Sequence, residues 1–219
     1  HLAMEPSGAI ARWHSDALEV WTSTQWVYGV RAALAQAFGV PPAKVTVRAP
    51  FVGGGFGAKG STWPHELLAA AAARTLGRPV RIVLPRSQTF ATTGHQPRTV
   101  QEVTLAARRD GTLTAIRHRS WSAAAMEEDY VEHGSLGSRS MYACPNIETR
   151  DLIVRLDRPQ PTFMRAPHEG PGMPALEIAL DELAHSLGLD PLAIRLTNYA
   201  EHDPTSGKPF SSKELRQDR

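Results

Sequence analysis

Gly53-Gly54-Gly55-Phe56-Gly57-Ala58-Lys59-Gly60 is the densest glycine cluster of the sequence, and it lies between a short strand pattern and an alanine-rich helix pattern. Glycine permits positive φ and lets backbone N–H groups approach a ligand closely. This stretch is therefore the first candidate for a ligand-binding loop. Three interpretations compete: a Rossmann fingerprint, a phosphate-binding P-loop and a plain flexible loop.

Neither nucleotide motif is complete in the glycine cluster. Read as a Rossmann fingerprint it gives Gly53-x-Gly55-x-x-Ala58, but Arg78 and Arg81 stand about 20 residues on, where an acidic residue would bind a ribose hydroxyl. As a P-loop it has alanine before Lys59, where glycine is required, and Gly60 after it, where Ser or Thr would bind magnesium. A nucleotide-binding enzyme that uses this loop stays open as an alternative.

Apolar spacing on both sides of the cluster predicts a mixture of strands and helices. Alternation predicts two hairpins, 8–13 with 17–23 and 99–108 with 112–123, the second across Asp110-Gly111. The other predicted elements are strands at 44–48, 79–84 and 147–156 and helices at 25–38, 64–76, 174–187 and 191–200. The predicted class is therefore α+β, a mixed β-sheet with hairpins packed against helices.

Composition excludes several classes of protein. The 219 residues are 42% hydrophobic, which is typical of a globular chain and not of a disordered one. No run approaches the ~18 apolar residues of a membrane span, and a net charge of +2 without a basic run does not predict nucleic-acid binding. The single cysteine, Cys144, excludes an internal disulfide and is predicted to be a small buried packing residue.

The glycine cluster is one of six groups that follow one another in a recognisable order. The others are His1-x-x-Met4-Glu5-Pro6, Ser23-Thr24-Gln25, Gly94-His95-x-Pro97, Arg165-Ala166-Pro167 followed by Asp181-Glu182-Leu183-Ala184, and Leu189-Asp190-Pro191-x-x-x-Arg195-Leu196-x-Asn198-Tyr199. Together they resemble the molybdenum-cofactor-binding subunit of the xanthine dehydrogenase/aldehyde oxidase family over essentially the whole chain. The forms at 94–97 and 165–167 are more similar to bacterial aldehyde oxidoreductases than to animal xanthine dehydrogenases.

The resemblance implies an oxidoreductase that oxidises an aldehyde or an N-heterocycle with water as the oxygen source. It implies a molybdenum–molybdopterin cofactor, in the plain or the cytosine dinucleotide form, with metal ligands from the pterin dithiolene and none from protein side chains. It also implies partners, namely an iron–sulfur subunit, with or without an FAD subunit, and the C-terminal half of the cofactor subunit.

The same resemblance implies roles for six residues. Gln25 matches the family glutamine that hydrogen-bonds an oxo ligand, and its amide is a neutral donor that does not titrate. The loop whose backbone approaches the cofactor is matched by Gly54, Gly55, Phe56 and Gly57. Arg165 matches an arginine beside the metal, where a permanent positive charge would hold a substrate oxygen or stabilise developing negative charge.

Several other polar residues are predicted to be structural or are left open. Lys59 has two interpretations, contact with a pterin phosphate or a cap for the turn. The acidic run at 127–132 is predicted to be a solvated face, and His168 and Glu169 are predicted loop residues. His133 occupies a position where some relatives place a substrate-binding arginine.

The ends of the sequence favour a piece of a longer polypeptide, because the chain starts at His1 without an initiator methionine. The family's catalytic glutamate, in a Gly-Glu-Pro-like context, is not found after residue 177, so we expect the base to lie outside this chain. We therefore expect the N-terminal part of a molybdopterin-binding region, inactive and without cofactor when isolated, with subdomains of about 1–90 plus 160–219 and 91–159. A non-catalytic binding or assembly module of the same fold is the second alternative.

Overall fold

The computed structural model describes residues 1–128, 130–203 and 206–210. The chain divides into two compact units, each with its own β-sheet and hydrophobic core. Unit 1 comprises 1–96, 125–130 and 157–165, and unit 2 comprises 97–124, 131–156 and the chain from 166 onward. Both sheets are mixed and both pack against helices, which confirms the predicted α+β class.

Unit 1 is built on a four-stranded sheet. Its elements are β1 (Gly8–His14), β2 (Ala17–Thr22), α1 (Val27–Phe38), β3 (Val45–Arg48), α2 (Pro64–Leu76), β4 (Val80–Val83) and α3 (Arg86–Thr92). The strand order is β3-β2-β1-β4. β1 pairs antiparallel with β2 and with β4, whereas β2 pairs parallel with β3.

Alternation along the first hairpin decides which face of this sheet is covered. Ala9 and Ala11 on β1, and Leu18 and Val20 on β2, are buried in one cluster with residues of α1 and α2. Small side chains such as Ala70 in α2 let that helix approach the sheet closely. The glycine cluster lies in the connection from edge strand β3 to α2.

Unit 2 is built on a three-stranded sheet. Its elements are β5 (Thr99–Ala107), β6 (Leu113–Ala124), β7 (Ile147–Arg155), α4 (Glu169–Leu187) and α5 (Pro191–Thr197). β6 is the central strand, antiparallel to β5 and parallel to β7. The apolar stripe of α4, which includes Leu176 and Leu180, enters the core with Ile116 and Ile194. Cys144 lies in the same core, as predicted.

The C-terminal residues belong to a different unit from the one that we expected. We expected residues 160–219 to group with 1–90, but α4 and α5 belong to unit 2. The reason is the stripe of α4, which packs against β5 and α5 and completes the core of the three-stranded sheet.

Two helices differ from the sequence prediction. α3 was not predicted, because its residues 86–92 include no buried side chain and so leave no apolar stripe. α4 begins at Glu169, five residues before the predicted start at Pro174. Pro171 stands in its first turn, where the missing N–H needs no partner, and only Pro174 lies inside the helix. None of the described helices is long and apolar enough to cross a membrane.

Candidate functional site

Gln25 lies between β2 and α1, against the glycine cluster. Its backbone N–H donates to the Lys59 carbonyl at 2.8 Å, and its side-chain Oε1 accepts the Gly57 N–H at 3.1 Å. The residue is exposed, and within the described part of the chain no hydrogen bond is found for its amide nitrogen Nε2. Gln25 therefore presents a neutral N–H donor whose orientation is fixed by the loop.

Two glycines of the loop are required by close approaches. A Cβ at Gly55 would lie 2.3 Å from Gln25 Oε1 and would displace that side chain. Gly57 has φ +101°, and a Cβ there would lie 2.1 Å from the backbone oxygen of Phe163. The loop therefore keeps its backbone bare on the sides that face Gln25 and Phe163.

Phe56 is the aromatic residue of the loop, and its backbone carries strain. Its φ of +53° is rare for a residue with a Cβ and costs about 1 kcal/mol or more. The ring is 43% exposed. The Phe56 carbonyl accepts the Arg165 backbone N–H at 2.9 Å, so Arg165 lies directly against the loop. Its guanidinium group is exposed, and the described residues include no ion-pair partner for it.

The structure thus brings together, within unit 1, all six residues for which the sequence implied roles: Gln25, Gly54, Gly55, Phe56, Gly57 and Arg165. Their roles toward a cofactor stay predictions. The arrangement offers a bare backbone loop, a neutral amide donor and a permanent positive charge, which together suit a negatively charged group that carries oxygen atoms.

Lys59, left open by the sequence, is engaged inside the protein. Its side chain is only 4% exposed, and its Nζ donates to Glu5 Oε2 at 2.8 Å, to the Glu5 carbonyl at 3.2 Å and to Ser23 Oγ at 2.8 Å. An ammonium group has three N–H donors. All three are used here, so the structure favours the cap over contact with a phosphate.

Glu132 is a buried residue whose burial the sequence pattern does not reveal. The run 127–132 was predicted to be solvated, and Glu127 and Glu128 are exposed, but Glu132 is only 1% exposed. Its carboxylate accepts the backbone N–H of His168, which has φ +72° and precedes α4. No local signal reveals this pairing, because the two residues are far apart in the sequence.

His65 occupies a buried position in the first turn of α2. It is 5% exposed, and no hydrogen-bond partner for its Nδ1 is found among the described residues. Burial, together with the positive charge of Lys59, lowers the pKa of His65 to about 4. In the unfolded chain His65 takes up a proton near pH 6.5, whereas in the folded chain it does so only near pH 4. The stability that neutral His65 contributes above pH 6.5 is therefore lost as the pH falls toward 4.

The variant His65→Leu is expected to lose less stability than wild type on acidification. Between pH 7 and pH 5 the His65 contribution amounts to about 2 kcal/mol, which the variant should retain. Urea unfolding at both pH values measures the difference. His14→Leu, at an exposed position at the end of β1, is the matched control and should follow wild type. Equal acid losses in wild type and His65→Leu would contradict the assignment.

The topology does not support a nucleotide-binding interpretation of the loop. β3 precedes the loop and β4 follows α2, but these strands lie at opposite edges of the sheet, and β4 is antiparallel to its neighbour β1. A Rossmann unit requires adjacent parallel strands joined by the helix. α2 also begins at Pro64, beyond the short turn at Ala58–Gly60, and not directly at the lysine as in a P-loop.

Comparison with known proteins identifies the family. The model of the molybdopterin cofactor-binding domain matches residues 1–199. The aldehyde oxidoreductase molybdenum-binding subunit of Escherichia coli is 40% identical over 219 residues, covering 98% of this chain and 29% of that protein. The chain therefore belongs to the family of molybdopterin cofactor-binding domains found in aldehyde oxidoreductases and xanthine dehydrogenases.

Solved structures agree with this assignment. Quinoline 2-oxidoreductase from Pseudomonas putida 86 superimposes with a TM-score of 0.82 at 31% identity, over 90% of this chain and 26% of that chain. The aldehyde oxidoreductase from Desulfovibrio gigas gives a TM-score of 0.84 at 28% identity, over 95% and 24%. The chain spans less than a third of the length of each of these relatives.

Proposed function

We propose that this chain forms part of a molybdenum–molybdopterin site in an oxidoreductase that oxidises an aldehyde or an N-heterocycle with oxygen from water. The observation that carries the proposal is the junction at which Gln25 Oε1 accepts the Gly57 N–H and the Phe56 carbonyl accepts the backbone N–H of Arg165. Two relatives support the substrate classes, since one is named an aldehyde oxidoreductase and another a quinoline 2-oxidoreductase.

The residues at the junction fit such a cofactor, in its plain or its cytosine dinucleotide form. A Cβ at Gly55 would overlap Gln25 and one at Gly57 would overlap Phe163, so only glycine fits at these two points of the proposed cofactor-facing loop. The described residues include no group of three or more His, Cys, Asp or Glu placed to hold a metal. Ligation of the metal through the pterin is part of the proposal and comes from the family resemblance. The chemistry that this group supplies when bound is a two-electron oxidation with addition of a water-derived oxygen.

Each side chain has a defined task in this proposal. Gln25 would donate its Nε2 hydrogen to an oxygen of the bound group, and an amide keeps that bond at every pH because it does not titrate. Arg165 would act as the catalytic cation that holds a substrate oxygen and stabilises negative charge as it develops. Phe56, with an exposed ring, would cover part of the site against water.

The proposal includes partners. Electrons would leave through an iron–sulfur subunit, with or without an FAD subunit, and a C-terminal half of the cofactor subunit would supply the glutamate base. The E. coli relative is itself named a molybdenum-binding subunit. We expect the isolated 219-residue chain to be inactive and without cofactor.

The variant Gln25→Leu removes the proposed donor and nearly preserves the size of the side chain. In the complete protein, we expect turnover of an aldehyde with a dye acceptor to fall on the order of 100-fold, which is typical of losing one donor to a developing negative charge. Gln88→Leu, at an exposed position of α3, is the matched control and should retain wild-type turnover. Unchanged turnover in Gln25→Leu would exclude the assigned role.

Metal and pterin analysis of the complete protein tests the function as a whole. About one molybdenum and one pterin per chain, with aldehyde or N-heterocycle oxidation, would establish the enzyme. A complete protein without molybdenum would favour the alternative of a non-catalytic binding or assembly module. Stoichiometric molybdenum with turnover in the isolated 219-residue chain would contradict our view that the base lies elsewhere.

A further inference from the structure

Both ends of the glycine loop converge on one carboxylate. At the start of the loop, the Gly53 N–H donates to Glu5 Oε2 at 2.7 Å, and the Gly53 carbonyl accepts the Glu5 N–H at 3.0 Å. At the end of the loop, Lys59 Nζ donates to the same Oε2 at 2.8 Å. Glu5 and Lys59 therefore close residues 53–59 into a ring.

Lys59 also holds the segment that carries Gln25. Its Nζ donates to Ser23 Oγ at 2.8 Å, and its carbonyl accepts the Gln25 N–H at 2.8 Å and the Thr24 Oγ hydrogen at 3.1 Å. Ser23 Oγ in turn donates to Glu5 Oε2 at 2.5 Å. One lysine thus ties the loop to three consecutive residues, and the last of these is the proposed cofactor donor.

Burial makes this ion pair different from a surface pair. Lys59 has a side-chain exposure of 4% and Glu5 of 37%, whereas the pair between Lys44 and Asp16 in the same unit is 44% and 62% exposed. Burial raises the pKa of Glu5, but the hydrogen bonds from Lys59, Ser23 and Gly53 outweigh it and leave the pKa below its usual value. The carboxylate is therefore charged at neutral pH, and a buried lysine that lost it would keep an uncompensated charge.

We infer that Glu5 and Lys59 are positioning residues which hold the glycine loop and Gln25 in register with each other, and that they do so without contacting the cofactor. The inference rests on the proposed function, since it takes the loop to be the cofactor-facing surface. The inference gives a positioning role to Glu5 of the Met4-Glu5-Pro6 group and to Lys59. These two residues are far apart in the sequence but are joined by a hydrogen bond in the fold.

Hydrogen–deuterium exchange in the complete protein tests the inference without relying on activity. The variant Lys59→Met keeps the aliphatic stem and removes the three donors. We expect amides of 53–60 and 23–26 to exchange about tenfold faster, while amides of β2 in the core change little, because local opening is separate from global unfolding. Lys44→Met, which breaks the exposed pair with Asp16, is the matched control and should change neither segment.

A second variant keeps the test decisive if Lys59→Met does not fold. Glu5→Gln preserves the shape of the side chain and one acceptor oxygen but removes the charge that compensates Lys59, and should accelerate exchange in the same two segments. Exchange that accelerates equally in β2 and in the loop, or that stays unchanged in both variants, would overturn the inference. The molybdenum content of wild type tests the proposed function separately, so failure of either idea is distinguishable from failure of the other.

Discussion

Replacing Gly57 with alanine is expected to lower the free energy of unfolding by about 3–5 kcal/mol, the sum of a forbidden backbone conformation and an overpacked contact. Gly57 has φ +101°, and the new Cβ would lie 2.1 Å from the Phe163 backbone oxygen. That oxygen is also held by the His1 Nε2 at 2.6 Å, so it is not free to move away. The loop must shift instead, and the Gly57 N–H leaves Gln25.

Gly77→Ala provides the matched control for this prediction. Gly77 ends α2 with φ +64°, and a Cβ there meets nothing within 4 Å, so only the conformational cost of about 1 kcal/mol remains. Urea unfolding of both variants gives the two free energies. We also expect Gly57→Ala, and not Gly77→Ala, to lose molybdenum in the complete protein. Equal destabilisation of the two variants would show that the contact with Phe163 relaxes.

The glycine cluster at 53–57 stands out in the sequence by composition alone. Gln25 and Arg165 were singled out only through the family resemblance, and their roles stay predictions. What the sequence could not supply is the contact between the cluster and Gln25, because Oε1 of Gln25 meets the Gly57 N–H only after β2, β3 and the loop are folded together. The same holds for Arg165, whose backbone N–H donates to the Phe56 carbonyl although the two residues are far apart in the sequence.

Buried charges were the least predictable feature within each unit. Lys59 and Glu132 both carry charged side chains, and charged residues are mostly solvated. Each is buried because a partner from a distant segment satisfies it, Glu5 in one case and the His168 backbone in the other. A single sequence carries no trace of such pairings.

Secondary structure was predictable where one face of an element is buried. The strands β5 and β6 alternate, and α1 and α2 carry apolar residues at helical spacing, so their periods are visible. α3 buries nothing and was missed. The start of α4 was misplaced because a proline normally marks the beginning of a helix, whereas α4 has Pro171 in its first turn and continues through Pro174.

Asn198, in the last motif of the family resemblance, joins two parts of unit 2. Asn198 is 2% exposed. Its Oδ1 accepts the Leu113 N–H at 2.8 Å, and its Nδ2 donates to the carbonyls of Gly111 at 2.8 Å and Ile194 at 2.7 Å. The side chain therefore joins the turn between β5 and β6 to the end of α5.

Asn198→Ala is expected to lower the free energy of unfolding by about 2–5 kcal/mol, because the Leu113 N–H and the Gly111 carbonyl would both be left without partners in a buried place. Asn146→Ala is the matched control, since Asn146 is exposed and, among the residues that the structure describes, its side chain makes one hydrogen bond, from Nδ2 to the Thr114 carbonyl. It should cost less than about 1 kcal/mol. Urea unfolding followed by circular dichroism compares the two variants. If both lose the same small amount, water must replace the Asn198 amide, and the turn and α5 would not depend on it.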